Sequence, residues 1–448
     1  MRHSTRRSPT PTSRRSRARL RFLAPQSPNA TMKKLLYVVA ALPGDNAPTK
    51  HALAIAELFS RIGWSCSLLA VGLNRVAPDH PEDYDFRGWN VHQPRSLRSG
   101  VASVPDKVLE ELFSKTSIRS FKDFVSGFHP DAVLYYGIPC RLAREIVTLC
   151  ADIPVLVDET DWFEYHFSFD IRSFLFDKHR SDRVLKVDGL TDGVISISPF
   201  FFDYFTDYAV HENVALKNYH LPPLNPSDEP RVDFPSKPKE RRIETRFMYA
   251  GSIGGRKDRI LPFIESLRRA KDKYQTKPVL DVFGVSAKKA KEDFGLEEDE
   301  SILRFHGRVP HEAVIRNLRE ADWGILLRYP ELYARAGFST KFAECMSNGV
   351  PMIANKVGGA EVILENGLDG LVIPDCEART LDELLEKTCN MSDEELYEIK
   401  NRACEKAGRL FEIDGYVQSF SAFIDEVCSA KDVTSKGCAV ADSSFITN

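Results

Sequence analysis

Short apolar runs ending near glycine, each followed by a segment of helical spacing, recur along two stretches of this 448-residue chain. "KLLYVVAAL" (34–42) leads through Pro43-Gly44 into "NAPTKHALAIAELFSRIGW", where Ala52, Ile55, Ala56, Phe59 and Ile62 fall on one helical face. Gly63 stops that helix, and "CSLLAVG" begins the next strand. "DAVLYYG", "PVLVDE" and "DGVISIS" continue the rhythm. Strands alternating with helices pair in parallel through crossovers, so the chain is α/β. A chain of this length exceeds one core.

The alternation is broken once. Six prolines stand among charges between Leu221 and Arg246, with no apolar period. That composition predicts a linker over 221–246. Beyond it the rhythm resumes with "RFMYAGSI", "PVLDVFG", "ILRFHG", "DWGILLR", "PMIAN" and "DGLVIP". The expected architecture is two Rossmann-like parallel-sheet units, 32–220 and 247–378, facing across a cleft. Two helical segments over 379–428 and a loose Ser/Thr/Ala-rich tail over 429–448 should follow.

Charge narrows the partners. The formal net charge is −3, but residues 1–31 hold eight arginines and no acid, which leaves 53 basic against 64 acidic residues in the remainder. A body that acidic is a poor general binder of nucleic acid. The leader 1–31 lacks the apolar residues for a core and is expected to be disordered. It reads as a transit peptide, as a basic arm for RNA or anionic lipid, or as a segment preceding a folded start at Met32, the reading favoured here. A chain beginning at Met32 should therefore keep its melting temperature and its ligand binding; a large loss of either would make the leader part of the fold. Nine scattered cysteines without a C-x-x-C pair point to a reducing compartment, with neither disulfide frame nor metal site. No apolar run is long enough to span a bilayer. The expected location is cytoplasmic, with peripheral contact at the inner face of the membrane as an option.

Ligands of open parallel sheets bind beyond the carboxyl ends of the strands, so strand-end motifs carry the functional reading. "YAGSIGGRKD" (249–258) ends a strand in glycines and delivers Arg256 and Lys257. Glycine lets backbone approach an anion, and the two cations balance phosphate charge. The alternative is a plain turn with two solvated cations. "YARAGFSTKFAECMSNGVPMIANKVGG" (333–359) places Gly337, Phe338, Ser339, Thr340 and Lys341 at a helix start, where N–H groups favour an anion. Glu344 follows one turn on, placed to accept hydrogen bonds from a ribose diol. The competing reading makes Ser339 a cap and Glu344 a solvated acid. Pro43-Gly44-Asp45 is the turn after the first strand. No G-x-G-x-x-G is present, which argues against a dehydrogenase.

Taken together, these stretches resemble the GT-B-fold retaining glycosyltransferases, family 4 in particular, of the kind that builds capsular, exopolysaccharide or cell-surface glycans. The resemblance spans most of 33–428 and is strongest over "FHGRVPHEAVIRNLREADWGILLR" and "ARAGFSTKFAECMSNGVPMIANKVGGAEVILENGLDGLVIP". It implies that Lys257 and Gly251 belong to a phosphate-binding loop, with Ser252 where many members carry arginine and Arg256 sharing the diphosphate. It implies that Gly44 lies over the diphosphate and that Glu344 is the second acid of an E-x7-E motif. The first acid of that motif falls on Ala336. Glu159, with Asp158 and Asp161 beside it, falls near the place where many members put a histidine beside the reacting sugar; a strand-end hydrogen-bond network is the alternative.

The implied activity is transfer of a sugar from a nucleoside-diphosphate sugar to a glycan or lipid-linked acceptor, with retention and with neither metal nor cofactor. Lys257 and Arg256 would stabilise the leaving diphosphate. Two rivals share the fold: a nucleotide-sugar epimerase, and a donor-binding subunit without turnover, which Ala336 keeps open. His306 is expected to be a core or capping residue, His311 flanks the same loop, and His166 is a candidate acceptor contact. The aromatics of "SPFFFDYFTDY" are expected to pack one face of a helix, a lipid-facing surface being the alternative.

Overall fold

In the computed structural model, the residues described are 32–40, 42, 46–72, 80–97, 104–163, 171–225, 241–251, 253, 258–270 and 273–443. Gly44, Arg256, Lys257, Ser252 and His166 fall outside them. The first sheet holds β1 (Lys34–Val39), β2 (Ser65–Ala70), β3 (Asp83–Phe86), β4 (Trp89–His92), β5 (Ala132–Tyr136), β6 (Val155–Glu159), β7 (Gly193–Ser196) and β8 (Lys217–His220). The second holds β9 (Glu244–Ala250), β10 (Lys277–Phe283), β11 (Leu303–Gly307), β12 (Trp323–Leu326), β13 (Met352–Asn355) and β14 (Gly370–Ile373).

Their orders are β3-β4-β2-β1-β5-β6-β7-β8 and β11-β10-β9-β12-β13-β14. Every pairing is parallel except the β3–β4 hairpin. The chain is thus α/β with two parallel-dominated sheets, as the alternation predicts. The strands β3, β4 and β8 are new relative to the sequence reading, since DYDF, WNVH and KNYH are too polar to form an apolar run.

Local chemistry sets the helix that follows β1. Asn46 caps Ala47–Arg61 by accepting from Thr49 N at 2.9 Å. Gly63 ends it at φ +87°. Leu53, Ile55, Leu58 and Phe59 then bury against the sheet. The 199–212 helix buries Phe201 and Phe205 completely, with Trp162 edge-on to Phe200 and Tyr204. Those aromatics form a packed face.

The carboxyl-terminal part departs from expectation. Three helices, Ala378–Cys389, Asp393–Leu410 and Val417–Ser443, follow β14. The last runs well past residue 428, and it returns to the first sheet. Phe420 meets Phe59 edge-on at 5.0 Å, Phe423 stacks on Tyr219 at 5.1 Å, and Val427 is fully buried. A Cβ on Gly193 would stand 3.0 Å from Val427, so bare backbone in β7 lets the helix seat. Where the chain leaves and re-enters the first unit, Asn225 N donates to Phe411 O at 2.9 Å. The two crossings therefore lie side by side.

Candidate functional site

The carboxyl ends of β9, β12 and β13 converge on one charged cluster. Asp258, just beyond β9, accepts from Tyr249 Oη at 2.8 Å, from Lys341 Nζ at 2.9 Å and from Arg328 Nε at 3.3 Å. The Lys341 ammonium also sits 4.6 Å from the Tyr249 ring centroid. Arg328 is held by its backbone, which exchanges two 2.8 Å hydrogen bonds with the Asn355 amide. Burial opposes ionisation of Asp258, yet Lys341 and Arg328 hold its carboxyl below the usual range. Burial keeps the Lys341 amine below the ordinary lysine range, with Asp258 pulling the other way.

Glycine geometry at this cluster is explicit. A Cβ on Gly251 would lie 2.8 Å from Tyr249 Oη and 3.2 Å from Lys341 Nζ. Gly358, at φ +67°, would place one 2.9 Å from Ala334 O. Neither position accepts a side chain without displacing backbone or the cation cluster.

The Thr340–Ser347 helix connects this cluster to the first unit. Ser339 is its cap, accepting from Lys341 N at 3.4 Å, and Asn348 and Gly349 end it. Lys341 and Glu344 line one narrow recess together with Met248, Ala250, Val314 and Cys345. Glu344 is a quarter exposed. It faces Lys50 of the first unit, whose Nζ is 3.2 Å from Glu344 Oε1 and 2.8 Å from His311 Nε2. His311 Nε2 lies 3.5 Å from Glu344. Glu344 therefore stands between the two units rather than on a solvated face.

The rest of the 336–340 loop packs inward. Ala336 is fully buried, and its carbonyl accepts a hydrogen bond from the Ser198 hydroxyl of the first unit. Gly337 lies against Thr160 O, where a Cβ would come within 3.4 Å. The Phe338 ring belongs to the core, edge-on to Phe342 at 5.6 Å. Any contact Phe338 makes to a ligand would thus come from its backbone. An acid at 336 would have to enter a closed contact between the units.

In the first unit a cavity of about 210 Å³ opens at the ends of β1, β5 and β6, between Ala40, Pro48, Tyr136, Gly137, Glu159 and Asp161. Glu159 reaches its wall, but both its oxygens are taken by Arg183 Nη2, at 3.1 and 2.8 Å. Burial pushes the Glu159 carboxyl up, and Arg183 pulls it down. Glu159 thus reaches the cavity wall as one half of a buried ion pair. Asp158 likewise accepts from Tyr37 Oη at 2.7 Å and lies 2.9 Å from His51 Nε2. The strand-end network accounts for both. His306 stacks on Phe283 at 4.3 Å and meets Asp281 at 2.7 Å, a structural placement.

Gly251, Lys341 and Glu344 are thus brought to one place, while Ala336 and Gly337 meet the first unit, Phe338 packs in the core and Ser339 caps its helix. Sequence reasoning missed Tyr249, Asp258, Arg328 and Lys50. The first three sit at or just past strand ends, which was a usable signal; Lys50 had none, since its partner is remote in sequence. Among the described residues no group of His, Cys, Asp and Glu is arranged to hold a metal ion. No helix among them is long and apolar enough to cross a membrane.

Residues 244–390, which contain the whole charged cluster, match the family Glycosyl transferases group 1. Sucrose-phosphate synthase from Thermosynechococcus elongatus superposes with a TM-score of 0.65 at 14% identity, over 89% of this chain and 100% of that one. The α,α-trehalose 6-phosphate synthase from Burkholderia multivorans gives 0.61 at 12% identity, over 90% and 98%. HepE from Anabaena, solved in complex with UDP, gives 0.54 at 14% identity, over 88% and 100%. At these identities the likeness is one of fold, the GT-B arrangement of two facing sheets. No curated protein matches the sequence. The chain carries a glycosyltransferase group 1 domain on a GT-B scaffold, and by class it is a transferase.

Proposed function

We propose that the protein transfers a sugar from a nucleoside-diphosphate sugar to a glycan or lipid-linked acceptor, with retention at the anomeric carbon. The observation that carries this reading is the position of Glu344. It lies one turn into a helix of the matched domain, beside Lys341, and turned toward Lys50 across the cleft. A carboxylate there can accept two hydrogen bonds from a ribose diol while the cations at the strand ends meet the diphosphate. The first-unit cavity beside Tyr136 and Asp161 is where the acceptor would enter. UDP in the HepE complex supports a nucleotide donor. The leaving group is a nucleoside diphosphate, stabilised by preorganised cations and backbone N–H groups. No metal or cofactor is invoked, and contact with a membrane would be peripheral.

Ala336 sustains a second reading, a donor-binding subunit without turnover, because its buried position leaves no acid to hold the sugar. Donor turnover with a cell-extracted acceptor separates the two, and donor consumption without acceptor would indicate an epimerase. Glu344→Ala should weaken nucleoside-diphosphate binding by about 1.5–3 kcal/mol, the worth of hydrogen bonds to a charged group. The fold should survive, since alanine suits a helix. Calorimetric titration measures this, and an unchanged affinity would remove Glu344 from the donor site.

A further inference from the structure

The cluster at Asp258 holds two cations against one carboxylate. Lys341, Arg328 and Asp258 are only 21%, 12% and 11% exposed. Excess positive charge in so dry a place is costly unless an anion completes it. Arg328 is engaged only in part. Its Nε donates to Asp258, and its backbone is fixed by Asn355 and by a bridge to Asp258. Its two terminal nitrogens make no hydrogen bond to any described residue. A Cβ on Gly358 would approach Arg328 Nη1 to 3.5 Å, and a Cβ on Gly251 would approach Lys341 Nζ to 3.2 Å. Each cation thus borders a glycine with no side chain to cover it.

A guanidinium anchored by Nε and open at its fork is suited to planar, bidentate recognition of phosphate. We propose that Arg328, oriented by Asp258, grips the diphosphate of the sugar nucleotide jointly with Lys341. This rests on the donor reading above and assigns a residue to its phosphates. Asp258 is the positioning residue. It holds both cations beside the bare backbone of Gly251 and Gly358, and Tyr249 holds Asp258.

The test is titration of the full chain with UDP, GDP, ADP and dTDP and with the matching nucleosides. The unsubstituted protein should bind at least one diphosphate more tightly than its nucleoside. Arg328→Gln should lose about tenfold to hundredfold in affinity for that diphosphate, as expected for bonds between charged groups, and keep its affinity for the nucleoside. Arg328→Lys should recover only part, because an ammonium lacks the fork. Equal losses for diphosphate and nucleoside would make Arg328 structural and overturn the assignment; so would no loss at all. If the glutamine variant fails to fold, the lysine variant decides, and full diphosphate affinity there would overturn the bidentate grip. Failure of the unsubstituted protein to bind any of the diphosphates would overturn the donor reading itself, and this inference with it.

Discussion

Arg183→Met is expected to destabilise the fold by about 3–5 kcal/mol, the usual consequence of stranding a buried charge. Arg183 Nη2 binds both Glu159 oxygens, and Nη1 lies 3.4 Å from Asp188. All three side chains are no more than 3% exposed. Tyr135 donates to Asp188 at 2.7 Å but brings no charge. Methionine fills the volume and leaves two carboxylates without a cation. The pH dependence follows from sign. Burial already raises the Glu159 carboxyl, and Arg183 supplies the opposing pull. Without that pull its folded-state pKa moves further above the unfolded value. A carboxyl raised in this way favours folding below its unfolded pKa, and that contribution is lost as pH rises through the folded pKa. The variant should therefore recover stability relative to the parent on going from about pH 8 to about pH 5. Urea unfolding across that window measures the difference. Adding Glu159→Gln and Asp188→Asn should restore much of the loss. A parallel decline of parent and variant with pH would refute the ion-pair account.

Lys257→Ala is expected to lower kcat by about a hundredfold to a thousandfold, the typical effect of removing one preorganised donor from a site of charge development. This expectation comes from sequence and from the donor reading, since Lys257 lies outside the described residues. Its chain neighbour Asp258 is the hub of the cation cluster. A lysine there meets more negative charge as the diphosphate departs than in the bound donor, so its removal should act on kcat beyond any change in KM. Arg256→Ala and the double variant belong in the same experiment, because a neighbouring cation can soften the single loss. A rise in KM alone would make Lys257 a ground-state anchor. No change in either parameter, singly or doubly, would move the phosphate site elsewhere.

The alternation of strand and helix determined the class of fold from sequence alone, because a period of two or 3.6 reports which face each segment buries. β1, the Ala47–Arg61 helix and β2 could be read directly, as could the helix start at Ser339. Glycines at strand ends and Glu344 on its helix were visible for the same reason: their information is local. What tertiary structure decided is everything that joins residues far apart in the chain. Glu159 reads as an acid at a strand end until Arg183 is folded onto it. Glu344 reads as an acid on a helix until Lys50, 294 positions away, is brought against it. The return of the last helix to the first sheet depends on Gly193 leaving room for Val427. Arg328 reads as the end of a strand, and only the meeting of β9, β12 and the Thr340–Ser347 helix makes it one of two cations sharing Asp258. Periodicity encodes which side of an element is buried; it carries no information on which remote charge will be buried opposite.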